Sequence, residues 1–244
     1  WVEEKWELCI EEYSKAIAVG TSPIYYSNRG IVYQVLKDYD KAIIDLTKAI
    51  DLDKKDPELY YYRAGCYIDI EDYTNALKDL DNAIEVAPQE AKWYAYRSIV
   101  YALFKNKENQ LNDINFALDL DEDYSYAYEL RGDFYFNEKD YDNAIADYKK
   151  SISIDSQSNN LKKQLAISYM KLEKYSQSLQ ILDEAVDVDS SYLYFYFNRI
   201  LCNIFLGDTL KAFEDAESCI SIDSNSNIGY IMRGYLYRIT NNNK

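Results

Sequence analysis

Histidine is absent from the 244-residue chain, and glycine (7), proline (3) and cysteine (4) are scarce. Without histidine, the chain lacks the most frequent general base and the most frequent metal ligand of proteins. The few glycines and prolines leave few positions for the tight turns of an all-β fold, which favours long helices joined by short polar turns. Histidine-based catalysis, the usual zinc sites and a β-sheet fold are therefore not expected.

The cysteines and the apolar runs indicate where the protein works. Each cysteine lies at an apolar helical position, where a reduced thiol packs well, and there is no C-x-x-C pair. The cysteines are Cys9, Cys66, Cys202 and Cys219. No apolar run is long enough to span a membrane, and no signal peptide is visible. The sequence thus predicts a cytoplasmic, reducing location. Without a glycine-rich phosphate loop or a nucleophile beside a base, no cofactor and no enzymatic activity are expected.

Acidic residues dominate the charge, because 42 aspartates and glutamates against 27 lysines and arginines give a formal net charge of −15. Such a surface repels phosphate backbones and anionic lipids, since proteins bind both through lysine and arginine. Nucleic acid and membranes are therefore not expected as partners, and a basic or neutral protein segment is favoured. The alternative is that the charge only keeps a long, exposed molecule in solution. The composition leaves both readings open.

A 34-residue period runs through almost the whole chain. Its marker is an arginine, with Leu165 in the one slot where the arginine is missing. The marker residues are Arg29, Arg63, Arg97, Arg131, Arg199 and Arg233. A tyrosine stands three residues before and four residues after most markers, as Tyr26 and Tyr33 do around Arg29. Spacings of three and four place these side chains on one face of a helix, which we name helix A.

A second helix, helix B, follows helix A in each unit. Its apolar stripe in the first unit has helical spacing and consists of Ala42, Ile43, Leu46, Ala49 and Ile50. Aspartates between the two helices are expected to cap helix B, and they are Asp38, Asp72 and Asp140. Small residues in both helices are expected to face each other and let the pair approach closely. They include Gly30, Ala64, Gly132 and Ala166 in helix A, and Ala42, Ala76, Ala144 and Ser178 in helix B.

Five marker arginines are followed sixteen residues later by an aspartate. The pairs are Arg29/Asp45, Arg63/Asp79, Arg97/Asp113, Arg131/Asp147 and Arg199/Asp215. The fifth unit lacks both partners and has Leu165 and Ile181 instead. Because a lone buried charge is costly, this joint loss predicts an ion pair that joins helix A to helix B of the same unit. A row of arginines that binds anions is the alternative.

The pattern Tyr26-x-x-Arg29-Gly30-x-x-Tyr33, followed by Ala42 and repeated every 34 residues, resembles the tetratricopeptide repeat in its subclass with arginine before glycine. The resemblance implies an all-α, right-handed superhelical solenoid of antiparallel helix pairs, forming a single domain over residues 1–244. Six full repeats are expected, at residues 23–56, 57–90, 91–124, 125–158, 159–192 and 193–226. A partial repeat at 1–22 supplies a lone helix B, and a terminal helix A is expected at 227–240.

In this family the A helices line a concave groove that holds segments of partner proteins. The resemblance therefore implies a protein-binding groove, and aromatic and apolar residues at its columns are typical of binding hot spots. The candidate groove residues are Tyr61, Tyr62, Tyr96, Tyr126, Phe136, Tyr194, Phe197, Leu201 and Tyr235. Phe197 and Leu201 are the most specific candidates, because the chain contains 27 tyrosines. Packing against the next A helix is the alternative role for each.

One subgroup of the family grips the C-terminal carboxylates of chaperones with a clamp of lysines, asparagines and an arginine. The columns where lysine and asparagine would pair within one helix hold other residues in this chain. They are Ser27/Ile31, Tyr61/Gly65 and Ala95/Ile99. The chain is therefore not expected to belong to the carboxylate-clamp subgroup.

Three functions are compatible with the pattern. The first is a scaffold or adaptor whose groove binds a partner segment with apolar anchors. The second is a regulatory or targeting module of a larger enzyme whose catalytic domain lies outside this sequence, because the chain begins inside a repeat without a methionine. The third is self-association through an apolar groove or an uncovered terminal helix.

Overall fold

A computed structural model describes residues 2–155, 158–188 and 191–241, and these residues form helices and no strand. The helices are α1 (Val2–Val19), α2 (Pro23–Val35), α3 (Tyr39–Leu52), α4 (Pro57–Asp69), α5 (Tyr73–Val86), α6 (Ala91–Leu103), α7 (Lys107–Leu120), α8 (Ser125–Asn137), α9 (Tyr141–Ile154), α10 (Asn159–Lys171), α11 (Tyr175–Val188), α12 (Leu193–Leu206), α13 (Thr209–Ile222) and α14 (Asn227–Asn241). The all-α prediction is confirmed for these residues. Helices α2 to α13 fall in pairs into the six expected 34-residue ranges, and α14 ends one residue beyond the expected 240.

The helices form two compact units, Trp1–Ala127 and Tyr128–Lys244. In the first unit α2 packs on α3, α4 on α5 and α6 on α7, and its core includes Leu46, Leu80 and Trp93. In the second unit each helix from α9 to α14 packs on the next, around Leu182 and Phe195. The single domain over residues 1–244 stays a prediction.

Caps fix where each helix B begins. The Asp38 carboxylate accepts a hydrogen bond from the backbone N–H of Lys41, and Asp72 and Asp140 cap α5 and α9 in the same way. The residue before each of these aspartates ends helix A in the left-handed conformation, with φ values of 60°, 61° and 65°. This single left-handed residue reverses the chain, and the capping prediction is confirmed.

Small residues allow the two helices of a unit to approach closely. A Cβ atom added at Gly30 would lie 3.2 Å from the carbonyl oxygen of Ala42 and 2.9 Å from a side-chain carbon of Leu46. In the fifth repeat the hydroxyl of Ser178 donates a hydrogen bond of 2.9 Å to the carbonyl of Ala166. The predicted contact between small residues is therefore confirmed at these positions.

The predicted arginine–aspartate pairs are present. Arg63 donates from Nε and Nη2 to the two carboxylate oxygens of Asp79, at 2.8 and 2.7 Å. The same two-bond geometry, with distances of 2.7 to 2.9 Å, joins Arg29/Asp45, Arg97/Asp113 and Arg131/Asp147. The carboxylate occupies the fork of the guanidinium, which is the side that a bound anion would need, so the geometry favours the structural role.

A third bond, which the sequence did not predict, ties the arginine to the preceding helix B. The Nη1 group of Arg63 donates to the hydroxyl of Thr47 at 2.9 Å, and Nη1 of Arg97 donates to Asp81 at 2.7 Å. One arginine thus connects three helices of two successive repeats. The fifth repeat has apolar packing in place of this polar link, since Leu165 is buried and Ile181 packs against the same cluster.

The arginine–aspartate pair in the sixth repeat has longer distances than the others. Arg199 Nη2 lies 3.1 Å from Asp215, while Nε of Arg199 points toward Asp183 at 3.3 Å. Asn203, in the column that elsewhere holds tyrosine, is buried and donates to Asp215 at 3.3 Å. Burial raises the pKa of Asp215 to about 6, with Asp183 adding to the rise and Arg199 opposing it.

Asp215→Asn is expected to leave stability unchanged at pH 4 and to raise it at pH 7.5. The folded-state pKa of about 6 exceeds the ordinary 3.8, so the folded protein favours the protonated carboxyl. The protonated Asp215 carboxyl stabilises the folded state fully below about pH 4. This contribution to the free energy of unfolding, about 2–3 kcal/mol, is lost as the pH rises through 6. Urea unfolding of both proteins at the two pH values measures the difference. An equal response of both proteins to pH would contradict the assignment.

All four cysteines are free thiols, and Cys66, Cys202 and Cys219 are buried while Cys9 is half-buried. Burial raises the pKa of Cys66 to about 12 and that of Cys219 to about 11. These two groups therefore remain thiols and pack as small apolar side chains, as their helical positions indicated.

Candidate protein-binding site

Four of the nine predicted groove residues come together in the first unit, on α4, α6 and the start of α8. The rings of Tyr61 and Tyr96 stack with a centroid distance of 4.4 Å and an interplanar angle of 27°. Tyr62 lies 5.5 Å from Tyr61, and Tyr126 lies 6.5 Å from Tyr96. The stacked pair joins the A helices of two successive repeats, so the tyrosines form one continuous aromatic surface across them.

A cavity of about 200 Å³ opens beside these rings, and we name it the aromatic pocket. It is lined by Tyr61, Ala64, Gly65, Ile68, Leu80, Tyr96, Ile99 and Tyr126. Gly65 contributes no side chain to this lining, and a Cβ atom added there would lie 3.0 Å from the amide nitrogen of Gln34 on α2. The lining is apolar apart from the tyrosine hydroxyls. The volume is below that of most cofactor pockets, which favours a single large side chain as its occupant.

Burial raises the pKa of Tyr61 to about 12. The neighbouring Tyr96 adds to this rise through its charge and a hydrogen bond. The Tyr61 hydroxyl is therefore neutral at physiological pH and can donate or accept a hydrogen bond. The pocket combines apolar walls with such polar tips, a combination that is common in protein interfaces.

Lys92, beside Trp93, is already paired. Lys92 Nζ lies 2.6 Å from a carboxylate oxygen of Glu58 and 3.1 Å from one of Glu90, and it stands 4.2 Å from the ring centroid of Trp93. Two carboxylates around one ammonium leave this end of the pocket with a net negative charge. A partner carboxylate would have to displace these bonds, so the site does not favour an acidic ligand.

Trp93 packs against the two stacked tyrosines from the side of the core. Its ring is fully buried, 6.0 Å from Tyr61 and 6.1 Å from Tyr96, in a cluster with Ile50 and Leu59. Trp93, Ile68 and Ile99 are not among the residues predicted for the site. In the sequence, Gly65 and Ile99 stand only as positions where clamp residues are missing, although two non-polar residues in groove columns are already a signal of an apolar pocket.

In the second unit Tyr194 lines a cavity of about 280 Å³, with Ile167, Met170, Lys171, Tyr175, Asn198 and Phe205. The rings of Tyr175 and Phe205 stack at 4.5 Å and are nearly parallel. Lys163 Nζ lies 5.6 Å from the ring centroid of Tyr194. This cavity therefore has a cationic rim, in contrast to the aromatic pocket.

The remaining predicted residues are not brought together. Phe197 and Leu201 are half-buried and pack against the core cluster of the second unit. Phe136 is half-buried against Tyr141, with ring centroids 5.5 Å apart, while Tyr235 is exposed beside Arg238. A binding role for these four residues stays a prediction.

The described helices include none that is long and apolar enough to cross a membrane. Within the same residues, no three acidic or cysteine side chains cluster in a way that could hold a metal ion.

Comparisons with known proteins identify the repeat. Sequence models of the tetratricopeptide repeat match residues 23–56, 57–90 and 125–158. A 60-residue stretch is 45% identical to human serine/threonine-protein phosphatase 5 and covers 24% of this chain and 12% of that protein. A 49-residue stretch is 45% identical to small glutamine-rich tetratricopeptide repeat-containing protein 2 of Saccharomyces cerevisiae, covering 20% of this chain and 14% of that protein. The chain thus matches only a small part of the length of these relatives.

Solved structures share the fold. The Pseudomonas aeruginosa protein pilF superimposes with a TM-score of 0.69 at 15% identity, covering 87% of this chain and 97% of its own. The C-terminal part of a repeat-containing protein from Cytophaga hutchinsonii gives 0.68 at 18% identity, covering 80% of this chain and 78% of its own. At these identities the likeness concerns the fold alone.

Proposed function

Because the chain is a tetratricopeptide repeat protein, we propose that it is an interaction module that binds a segment of a partner protein in the aromatic pocket of its first unit. The observation that carries the proposal is the open apolar cavity between the stacked Tyr61 and Tyr96 and the side-chain-free Gly65. Large aromatic side chains give a wide contact area at a small cost in conformational entropy. An intracellular, reducing location belongs to the same proposal, which the free, buried thiols support.

The proposed occupant is an apolar side chain rather than a terminal carboxylate. Tyr61 and Gly65 occupy the two columns where a carboxylate clamp would need a lysine and an asparagine, and the nearby Lys92 is bound by two glutamates. Membership of the subclass with arginine before glycine remains part of the proposal.

Gly65→Leu is expected to reduce partner capture from a lysate of the source cells by at least about tenfold. Gly65 lines the cavity without a side chain, and a leucine there would narrow the cavity and displace the terminal amide of Gln34. Leucine also has a higher helix propensity than glycine by up to about 1 kcal/mol, which offsets the shift of the flexible Gln34 side chain, so the variant is expected to fold. Quantitative mass spectrometry of captured proteins measures the change.

A matched control is Gly234→Leu on α14, where an added Cβ atom would meet nothing within 4 Å. It introduces the same residue at another helical glycine and is expected to capture the partner normally. If Gly65→Leu and Gly234→Leu capture the same proteins in the same amounts, the aromatic pocket is not the binding site.

A second candidate function is that of a regulatory module within a larger enzyme. The observation that favours it is the local identity of 45% to a serine/threonine-protein phosphatase, of which the match covers 12%. An immunoblot of the native protein tests it, since a mass near the 28.6 kDa of this chain would contradict the candidate.

A further inference from the structure

Carboxylates stand at both ends of the pocket face of α4. Glu58, Tyr61, Gly65 and Asp69 follow one another at spacings of three or four residues and therefore share one face of this helix. At 1.5 Å per residue, Glu58 and Asp69 lie about 16 Å apart along the helix axis, with the aromatic pocket between them. An acidic residue thus lies on α4 beyond each end of its pocket-lining residues, which run from Tyr61 to Ile68.

Neither end is neutralised by the protein itself. At the first end one ammonium, that of Lys92, is shared by Glu58 and Glu90. At the second end the exposed Asp69 accepts a hydrogen bond of 3.2 Å from the neutral amide of Gln34, and no cation of the described residues lies within ion-pair distance of it. The larger part of the net charge of −15 also lies in residues 1–127. A negative potential therefore surrounds an apolar cavity.

We propose that the occupant of the aromatic pocket is a segment with one large apolar side chain flanked on both sides by lysine or arginine. An extended chain advances about 3.3 Å per residue, so two basic residues about five positions apart would span the distance between Glu58 and Asp69. Opposite charges at the rim speed association and select partners, while the apolar side chain supplies most of the affinity. This inference rests on the proposed function, because it specifies the ligand of the same pocket.

Selection of random 12-residue peptides displayed on phage tests the inference without a known partner. The bait is the full chain, and the selected peptides are sequenced after several rounds. We expect an enriched large apolar residue with lysine or arginine on both sides. On the bait Asp69→Lys, enrichment of basic residues is expected to disappear on one side of the apolar residue. A synthetic peptide from the first selection should bind this variant about five- to tenfold more weakly at low salt.

The matched control is Asp51→Lys, which makes the same change of charge at an exposed position of α3 and is expected to select the same peptides as the original chain. Enriched apolar residues without basic neighbours would overturn this inference and leave the proposed function intact. Peptides that bind Gly65→Leu as well as the original chain would overturn the proposed function itself. A failure to enrich any peptide would overturn the inference, while the lysate capture would still decide the proposed function.

Discussion

Replacing Arg63 by leucine is expected to lower the free energy of unfolding of the first unit by about 3–5 kcal/mol. The Asp79 side chain is 2% exposed and would lose the hydrogen bonds from both Nε and Nη2 of the arginine. A buried carboxylate without its partner is costly, whereas a pair of exposed charges contributes about 0–1 kcal/mol. Urea unfolding followed by circular dichroism measures the loss.

A second substitution, Asp79→Ile, is expected to restore most of the stability lost in Arg63→Leu. The fifth repeat already has an apolar pair at these two columns, where Leu165 is buried and Ile181 packs beside it. Lys41→Leu serves as the control, because its ion pair with Asp38 is exposed and is expected to change stability by less than about 0.5 kcal/mol. If Arg63→Leu unfolded at the same urea concentration as the original chain, the column of ion pairs would be irrelevant to stability.

Trp93→Ala is expected to cost about 3–5 kcal/mol in the free energy of unfolding. The indole is fully buried and packs in one cluster with Ile50, Leu59 and Tyr60, so its removal leaves a large cavity in the core of the first unit. The rings of Tyr61 and Tyr96 rest within about 6 Å of it and would lose their support. The urea midpoint reports the stability, and binding of a selected peptide reports the pocket.

Trp93→Phe separates ring packing from the polar group of the indole. Its Nε1–H group is buried and has no acceptor among the described residues, so replacing it by carbon removes an unsatisfied donor. We expect the phenylalanine variant to lose less than half of what the alanine variant loses. Equal losses in both variants would show that the volume beneath the tyrosines does not control the stability of this unit.

The helices and the ion pairs could be predicted from the sequence because the 34-residue period places each column in the same environment. The joint loss of arginine and aspartate at Leu165 and Ile181 is enough to pair the two columns from the sequence alone. The third bond of Arg63 and of Arg97 could not be predicted, since its acceptors differ from repeat to repeat, as Thr47 and Asp81 show.

The site was harder to predict because one pair of columns has opposite roles in two repeats. Tyr61 and Gly65 occupy the same columns as Phe197 and Leu201, four repeats later. The first pair leaves a cavity beside the rings, while the second pair packs against the core of the second unit. An apolar residue in a groove column therefore does not reveal whether it opens a pocket or fills it. The two repeats differ in these columns by the missing side chain at Gly65. Whether a cavity forms beside it also depends on residues from other repeats, such as Tyr96 and Tyr126.

Photo-crosslinking in living cells tests the central claim most directly, with p-benzoylphenylalanine placed at Tyr126. This residue lines the aromatic pocket, and the photoreactive side chain extends the same phenyl ring by a benzoyl group. The same substitution at Tyr237, which is 56% exposed on α14, is the control. The account predicts a crosslinked partner from position 126 that disappears when Gly65→Leu is added, and no such product from position 237. A partner crosslinked equally from both positions, or one that persists in Gly65→Leu, would contradict binding in the aromatic pocket.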